Sequence, residues 1–420
     1  MEQENTPNLC KIEVERAQFP SNSIQDSKLT VCILPPEVVT EILSRLPVKS
    51  LLKCRSVSKS WLALISSPQF INTHLSLSAS KEDTHHILFL DVIKQKWNFK
   101  ECPLISLFND TDTEAFNLDY SFKKASKNIR IVASCNGLIL LADYSESLLL
   151  WNPTTRMHKN LPDFRPTWEK NSAIYGFGYD ELHDDYKVLG IFHYYGSSDA
   201  FEVKIYSLKS DSWTNADYCG ELLHTTSGSY GKVKLTDPGL FANGKLHWDT
   251  IIVGPMPNNV RTGRDIISFD LANEKWEKME KPSYGEREIE WFVGKLGTEL
   301  CAFSLYKGTN LGAWVMKEYG VKESWINKFT ISYSKGPCLY FPSFMSNKGE
   351  ILATFGSTSV IYNSEDNSFR YPHVINCYDC INKEIYIESL VCPFSTEGTH
   401  NRTKGRLEKL SSKQSQSSNK

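Results

Sequence analysis

The sequence predicts two unlike parts: a small all-α unit of three to four short helices, and after it an all-β domain, read as a β-propeller of about six blades. Three observations predict this. Over residues 31–78 apolar residues recur at helical spacing, punctuated by prolines. Over residues 85–394 the pattern changes to short apolar strands separated by Gly, Asn, Asp and Pro turns. Within that stretch two phrases return with a period of roughly 50 residues.

At 420 residues the chain is too long for one ordinary domain and suits a small module plus a large one. Aromatics at 12%, with 10 Trp and 19 Tyr, favour strands over a helical bundle. A formal charge of −2 argues against a general nucleic-acid binder. The start, Met1-Glu2-Gln3-Glu4-Asn5, lacks the basic and apolar run of a secretory signal. No run of about 18 apolar residues exists to cross a membrane. The expected location is therefore cytoplasmic, nuclear or both, with no membrane partner.

Residues 1–30 are polar and irregular and are expected to be disordered. Pro35 and Pro36 then open a helix, since proline is tolerated in a first helical turn. Val38, Val39, Ile42, Leu43 and Leu46 form its apolar stripe, and Pro47 stops it. A second short helix covers Leu51, Leu52 and Cys54, and a third runs through Val57, Trp61, Leu62, Leu64 and Ile65. Ser67-Pro68 reads as an N-cap and first-turn proline for a fourth, carrying Phe70 and Ile71. A unit this small buries little core, so some apolar positions should stay exposed until another protein covers them. The residues thus suggest a docking module; a helical cap on the β domain is the alternative.

The run Leu34-Pro35-Pro36-Glu37 through Ile42-Leu43-Ser44-Arg45-Leu46-Pro47-Val48-Lys49-Ser50-Leu51, continued by Cys54-Arg55-Ser56-Val57-Ser58-Lys59-Ser60-Trp61, resembles an F-box. Its form is similar to that of plant F-box proteins with an F-box-associated, kelch-like C-terminal domain, a group that includes S-locus F-box-like proteins. The resemblance implies a Skp-type adaptor as partner and, through it, a cullin. Carried onto this sequence, the adaptor contacts are Leu34, Pro35, Val38, Ile42, Leu46, Pro47, Leu51, Val57 and Trp61. Some of these, Leu46 and Trp61 above all, could instead hold the helices together.

In the β region the first phrase is an apolar strand, a polar turn and an aromatic. It appears at Leu150-Trp151-Asn152-Pro153-Thr154-Thr155-Arg156, at Val203–Tyr206 with Trp213, and at Ile267–Asp270 with Trp276. It returns at Trp314–Met316 before Trp325 and at Val360–Asn363 before Phe369, with a weaker copy at Ile87–Asp91 and Trp97. The second phrase is a tight turn before a strand: Asn136-Gly137, Asp184-Asp185, Asn243-Gly244, Gly297 and Lys348-Gly349. Sheets that cannot bury both faces alone are completed by packing in a ring, with the recurring Trp between neighbours. An irregular β-sandwich is the other architecture considered. Ser134-Cys135-Asn136-Gly137-Leu138, Trp151–Arg156 and Tyr175-Gly176-Phe177-Gly178-Tyr179-Asp180 also resemble phrases of F-box-associated domains. The double glycine of true kelch blades is absent.

No phosphate-cradling loop, nucleophile elbow or paired-histidine metal helix is present, so no catalytic residue, metal or cofactor is expected. Among 11 cysteines one close pair stands out, Cys377-x-x-Cys380; with His373 and Cys392 it could supply a zinc set, but it lacks the second paired cluster that makes the pattern specific. The resemblance implies a non-catalytic receptor of an SCF-type ubiquitin ligase, whose β domain binds an unidentified target. Polar connections at Tyr194–Asp199, Thr225–Tyr230 and Pro255–Arg264 are the expected target loops. Residues 397–420 form a Ser/Lys/Gln tail expected to be disordered; its Arg402, Lys404, Arg406, Lys409 and Lys413 could also act as a nuclear-import signal.

Overall fold

A computed structural model of the chain describes residues 34–394 except 94–95, 121, 123–128, 144, 164–171, 194–200, 218–231, 236–237, 254–262, 284–289, 307–309, 334–340, 356–357 and 378–379. The tails expected to be disordered, 1–30 and 397–420, lie outside the described residues.

Four helices come first: α1 (Pro36–Ser44), α2 (Val48–Cys54), α3 (Lys59–Ile65) and α4 (Pro68–Ala79). Their limits follow local chemistry. Pro36 starts α1, and Pro47 is the N-cap of α2. Ser58 Oγ accepts from Trp61 N at 3.1 Å and Ser67 Oγ from Phe70 N at 3.3 Å, satisfying amides that the first turns of α3 and α4 leave open. Val57 precedes that Ser58 cap, so it belongs to the α2–α3 connection and not to the third helix.

The rest forms six blade-sized antiparallel sheets. Blade 2 is Ile129–Cys135, Leu138–Asp143, Leu148–Asn152 and Met157–Asn160. Blade 3 is Ser172–Asp180, Asp185–His193, Phe201–Ser207 and Ser212–Ala216. In blade 4, Lys232–Leu235 and Leu240–Ala242 both pair with Lys245–Val253, followed by Gly263–Asp270 and Lys275–Met279. Blade 5 is Glu290–Leu296, Glu299–Tyr306, Asn310–Met316 and Trp325–Ser332; blade 6 is Phe341–Met345, Glu350–Phe355, Thr358–Asn363 and Ser368–Arg370. Blade 1 is composite. Its order is Cys380–Ile387, His85–Ile93, Lys96–Pro103, Phe116–Asn117, so the C-terminal strand supplies the first position and closes the ring. A short helix, α5 (Leu104–Asn109), also interrupts blade 1 and packs Leu104, Leu107 and Phe108 into its core.

The two recurring phrases have separate jobs. The tight turns join first to second strands, and Asn136, Gly137, Asp184, Asn243, Gly244, Gly297 and Gly349 all have positive φ there. The other phrase joins third to fourth strands. Tyr206, Phe269 and Tyr362 end third strands and face Trp213, Trp276 and Phe369 directly across the ladder. Their rings lie 5.3, 4.9 and 5.0 Å apart. The next residue caps the turn: the side-chain oxygens of Asn152, Asp270 and Asn363 accept backbone N–H groups two or three residues on. The tryptophans also link blades. Trp213, Trp276 and Trp325 each donate their indole N–H to a carbonyl just past the preceding blade, Pro162, Asp217 and Glu280, at 2.8, 2.7 and 2.9 Å. The weak copy at Ile87–Asp91 and Trp97 is out of phase. It occupies the second and third strands of blade 1, because the chain enters that blade at its second strand.

Candidate functional site

The helical unit has two apolar surfaces. One closes on itself: Leu43, Val48, Leu51, Ile65 and Phe70 are buried together, with Val39, Leu46, Trp61 and Leu64 packed against them. The other is open. Val38 and Ile42, four residues apart on α1, are 41% and 48% exposed, and Leu34, just before the helix, is 50% exposed; Val57 and Leu62 add 64% and 46%. The stripe read as a single face is therefore divided: Val39 and Leu43 of α1, with Leu46 just past it, face inward, and Val38 and Ile42 face outward beside Leu34.

The nine expected contact residues divide accordingly. Leu34, Pro35, Val38, Ile42, Pro47 and Val57 are exposed, and Leu46 and Trp61 are half-buried. Leu51 has no accessible surface and holds the helices together. Leu62 joins the exposed set, although the family phrase did not single it out; its spacing from Ser58 could have flagged it.

The helices are fastened to the ring by the segment that follows the closing strand. Leu390 enters the helical core, while Val391 joins the core between blades 2 and 3, where Ile71 and Leu75 of α4 meet it. Asn152 Nδ2 donates to the carbonyls of Ser389 at 3.1 Å and Val391 at 2.8 Å, and Glu388 N donates to Thr84 O at 3.0 Å. A charged cluster adds to the seam. Lys49 Nζ of α2 lies 3.7 Å from Glu101 and 3.9 Å from Glu388, His86 Nε2 lies 3.6 Å from Glu388, and Tyr386 O–H donates to Glu101. Burial pushes the Glu388 carboxyl up, against the pull of Lys49, and pushes His86 down, against the pull of Glu101. Lys49 is mostly exposed, so its attraction is weak and the apolar contacts of Leu390 and Val391 dominate the joint.

His85 pairs with Ile387, so the helices join the ring at the end where first strands finish. A cavity of about 1130 Å³ opens there on the ring axis, lined from several blades by Asn136, Leu182, Asn243, Lys295, Thr298 and Glu384. Ser134 Oγ donates to Glu384 at 2.7 Å, while burial pushes that carboxyl up. The expected target loops, Tyr194–Asp199, Thr225–Tyr230 and Pro255–Arg264, fall almost wholly outside the described residues. The strands leading into them, ending at His193, Ala216 and Val253, finish at the opposite end of the ring.

The four residues weighed as a zinc set are not assembled. His373 Nδ1 bonds Asp112 at 2.7 Å, Cys392 lies past the closing strand, and Cys377 and Cys380 pack in the core that blades 1 and 6 share. Among the described residues no group of three or more His, Cys, Asp or Glu is placed to hold a metal ion.

Comparison with known proteins agrees with this architecture. Residues 31–73 match the F-box domain family, and residues 91–392 match the F-box associated beta propeller domain family. An F-box/kelch-repeat protein of Arabidopsis thaliana is 30% identical over 375 residues, covering 86% of this chain and 96% of the relative. F-box protein CPR1 of Arabidopsis thaliana is 28% identical over 402 residues, covering 89% of this chain and 92% of the relative. Helices, ring and similarity together place the chain in the family of plant F-box proteins that carry an F-box-associated β-propeller domain.

Proposed function

We propose that this chain is the substrate-recognition subunit of an SCF-type ubiquitin ligase, with a Skp-type adaptor on its helices, a cullin reached through that adaptor, and a target protein on its ring. The observation that carries the reading is the outward set Leu34, Val38 and Ile42 with Val57 and Leu62. It is an apolar surface on a unit whose inner face is already filled, and it falls within the F-box match. The half-buried Trp61 lies at the edge of the same unit and could anchor a partner in addition to bracing α3.

In this reading the chain supplies no catalytic group and needs no cofactor. Its contribution is proximity: it holds a target lysine near a ubiquitin thioester carried by another subunit. The packed joint through Leu390 and Val391 supports that role, because a fixed angle between helices and ring fixes the distance the target must span. Such a complex belongs in the cytoplasm or nucleus.

The test is affinity purification of the full chain from plant cells under proteasome inhibition. Adaptor and cullin should both co-purify, and Ile42→Glu should lose both while the ring keeps its thermal midpoint. Adaptor without cullin would replace this reading with a scaffold acting outside a ligase. Absence of both from the wild type would end it.

A further inference from the structure

The cavity on the ring axis is lined by first strands and by the turns that follow them, and its wall mixes apolar and charged groups. Leu182, Phe241, Met316 and Phe344 supply apolar surface. Most of the charged side chains there already have partners. Asp180 lies 3.0 Å from Lys187, and Asp270 lies 3.6 Å from Lys245. Glu299 pairs with Lys328, and Lys383 Nζ donates to Ser359 Oγ at 2.8 Å. Glu181 and Lys317 are exposed, so solvent screens them.

Two opposite charges remain inside. Lys295 is half-buried on Glu290–Leu296, the first strand of blade 5. Its ammonium makes no hydrogen bond or ion pair among the described residues. Glu384 is half-buried on Cys380–Ile387, the first strand of blade 1. Ser134 Oγ donates to it at 2.7 Å, but among the described residues no basic group pairs with it. Burial pushes this carboxyl up, as it does any carboxylate short of a counter-charge. Blade 6 stands between blades 5 and 1, so the two side chains reach one cavity from separate parts of its wall.

A charge drawn out of water is costly until an opposite charge meets it. A ligand with one charge would satisfy one of these groups and leave the other alone. A ligand with both charges on a short stem would satisfy the two together and add no net charge to the cavity. The apolar stretches of the wall call for an apolar body on the same molecule. An α-amino acid has this combination: a carboxylate and an ammonium on one carbon, and a side chain that points away from both.

We propose that the axial cavity is a binding site for a free α-amino acid with a large apolar side chain, its carboxylate on Lys295 and its ammonium on Glu384. The site is separate from the apolar surface of the helices, so it stands or falls independently of adaptor binding.

The test is isothermal titration of the full chain with L-phenylalanine and L-leucine. Two analogues each lack one charge: 3-phenylpropionate has no ammonium and 2-phenylethylamine has no carboxylate. At least one amino acid should bind saturably, and phenylalanine should bind about tenfold or more tighter than either analogue. Lys295→Met should weaken phenylalanine about tenfold and leave phenylethylamine unchanged. Glu384→Gln keeps an oxygen for Ser134; it should weaken phenylalanine by a similar factor and leave phenylpropionate unchanged. Thermal midpoints report whether each variant is folded. Lys295→Met removes no hydrogen bond or ion pair of the described chain, so it decides the matter even if Glu384→Gln does not fold. The proposal is overturned if neither amino acid binds saturably at millimolar concentration. It is also overturned if a one-charge analogue binds as tightly as phenylalanine, or if folded Lys295→Met binds phenylalanine like the wild type.

Discussion

At Gly137 the backbone has φ +81°, and the segment that ties down the helices lies directly over its α-carbon. An added Cβ there would stand 2.6 Å from the Ile387 carbonyl oxygen and 2.2 Å from Ser389 Oγ. Gly244 shares the turn type, but a Cβ there meets nothing within 4 Å. Gly137→Ala should therefore cost about 2–4 kcal/mol and Gly244→Ala only about 1, measured by urea unfolding. The Asn-Gly turn is visible in the sequence; the segment lying over it, some 250 residues away, is not. His247 shows the same division. It is fully buried, its Nδ1–H donates to Leu240 O at 3.2 Å, and its Nε2 accepts from Tyr319 O–H at 2.5 Å. Burial pushes its pKa down to about 4. The unfolded chain would take up the proton near pH 6.5, so between about 6.5 and 4 the unfolded state binds more protons and stability falls as pH falls. Glu384 and Glu388, pushed up by burial, act with the opposite sign, since the folded state keeps their protons longer as pH rises. His247→Gln should thus flatten the loss on going from pH 7 to pH 4.5 by about 2–3 kcal/mol; an unchanged pH slope would contradict this assignment.

Among the elements, α1 carries two of the exposed apolar residues, Val38 and Ile42. Its periodicity announces a helix, Pro36 announces where it starts, and Pro47 announces where α2 takes over. What periodicity leaves open is which of two adjacent apolar lines faces inward, because the apolar residues of α1 cover more than one face. Packing against α4 and Leu390 settles that: Leu43 is sealed and Ile42 is not. Ile42→Glu should weaken adaptor binding about 10–100-fold, or about 1.4–2.8 kcal/mol, without altering chain stability. Leu43→Glu should instead unfold the helical unit, because it buries an unpaired charge. The fourth-strand tryptophans divide in the same way. Their recurrence marks blades in the sequence, but the carbonyl each one reaches belongs to the blade before. Trp276→Phe keeps the ring on Phe269 and loses the hydrogen bond to Asp217 O, so it should cost about 1–2 kcal/mol by thermal or chemical denaturation.

For the whole molecule, the decisive feature is that both ends of the β domain meet in blade 1. The closing strand shuts the ring, and Glu388–Phe394 continues over blade 2 and under the helices. Removing residues 388–420 leaves every strand of the ring in place but takes Leu390 and Val391 out of two cores. Amide-exchange protection of α1–α4 should then collapse while the blades keep theirs; undiminished protection in the helices would show that something other than this segment holds them. Apolar periodicity, prolines, caps and a recurring turn-and-aromatic phrase are local, so the sequence alone determined the helices, the blades, their approximate number and the family. The out-of-phase first blade, the outward line of α1, the overlay on Gly137 and the meeting of Lys49 with Glu101 and Glu388 depend on contacts between residues far apart in the chain. Only the tertiary structure decided those, because burial and close approach are properties of the closed ring and leave no period in the sequence that folds into it.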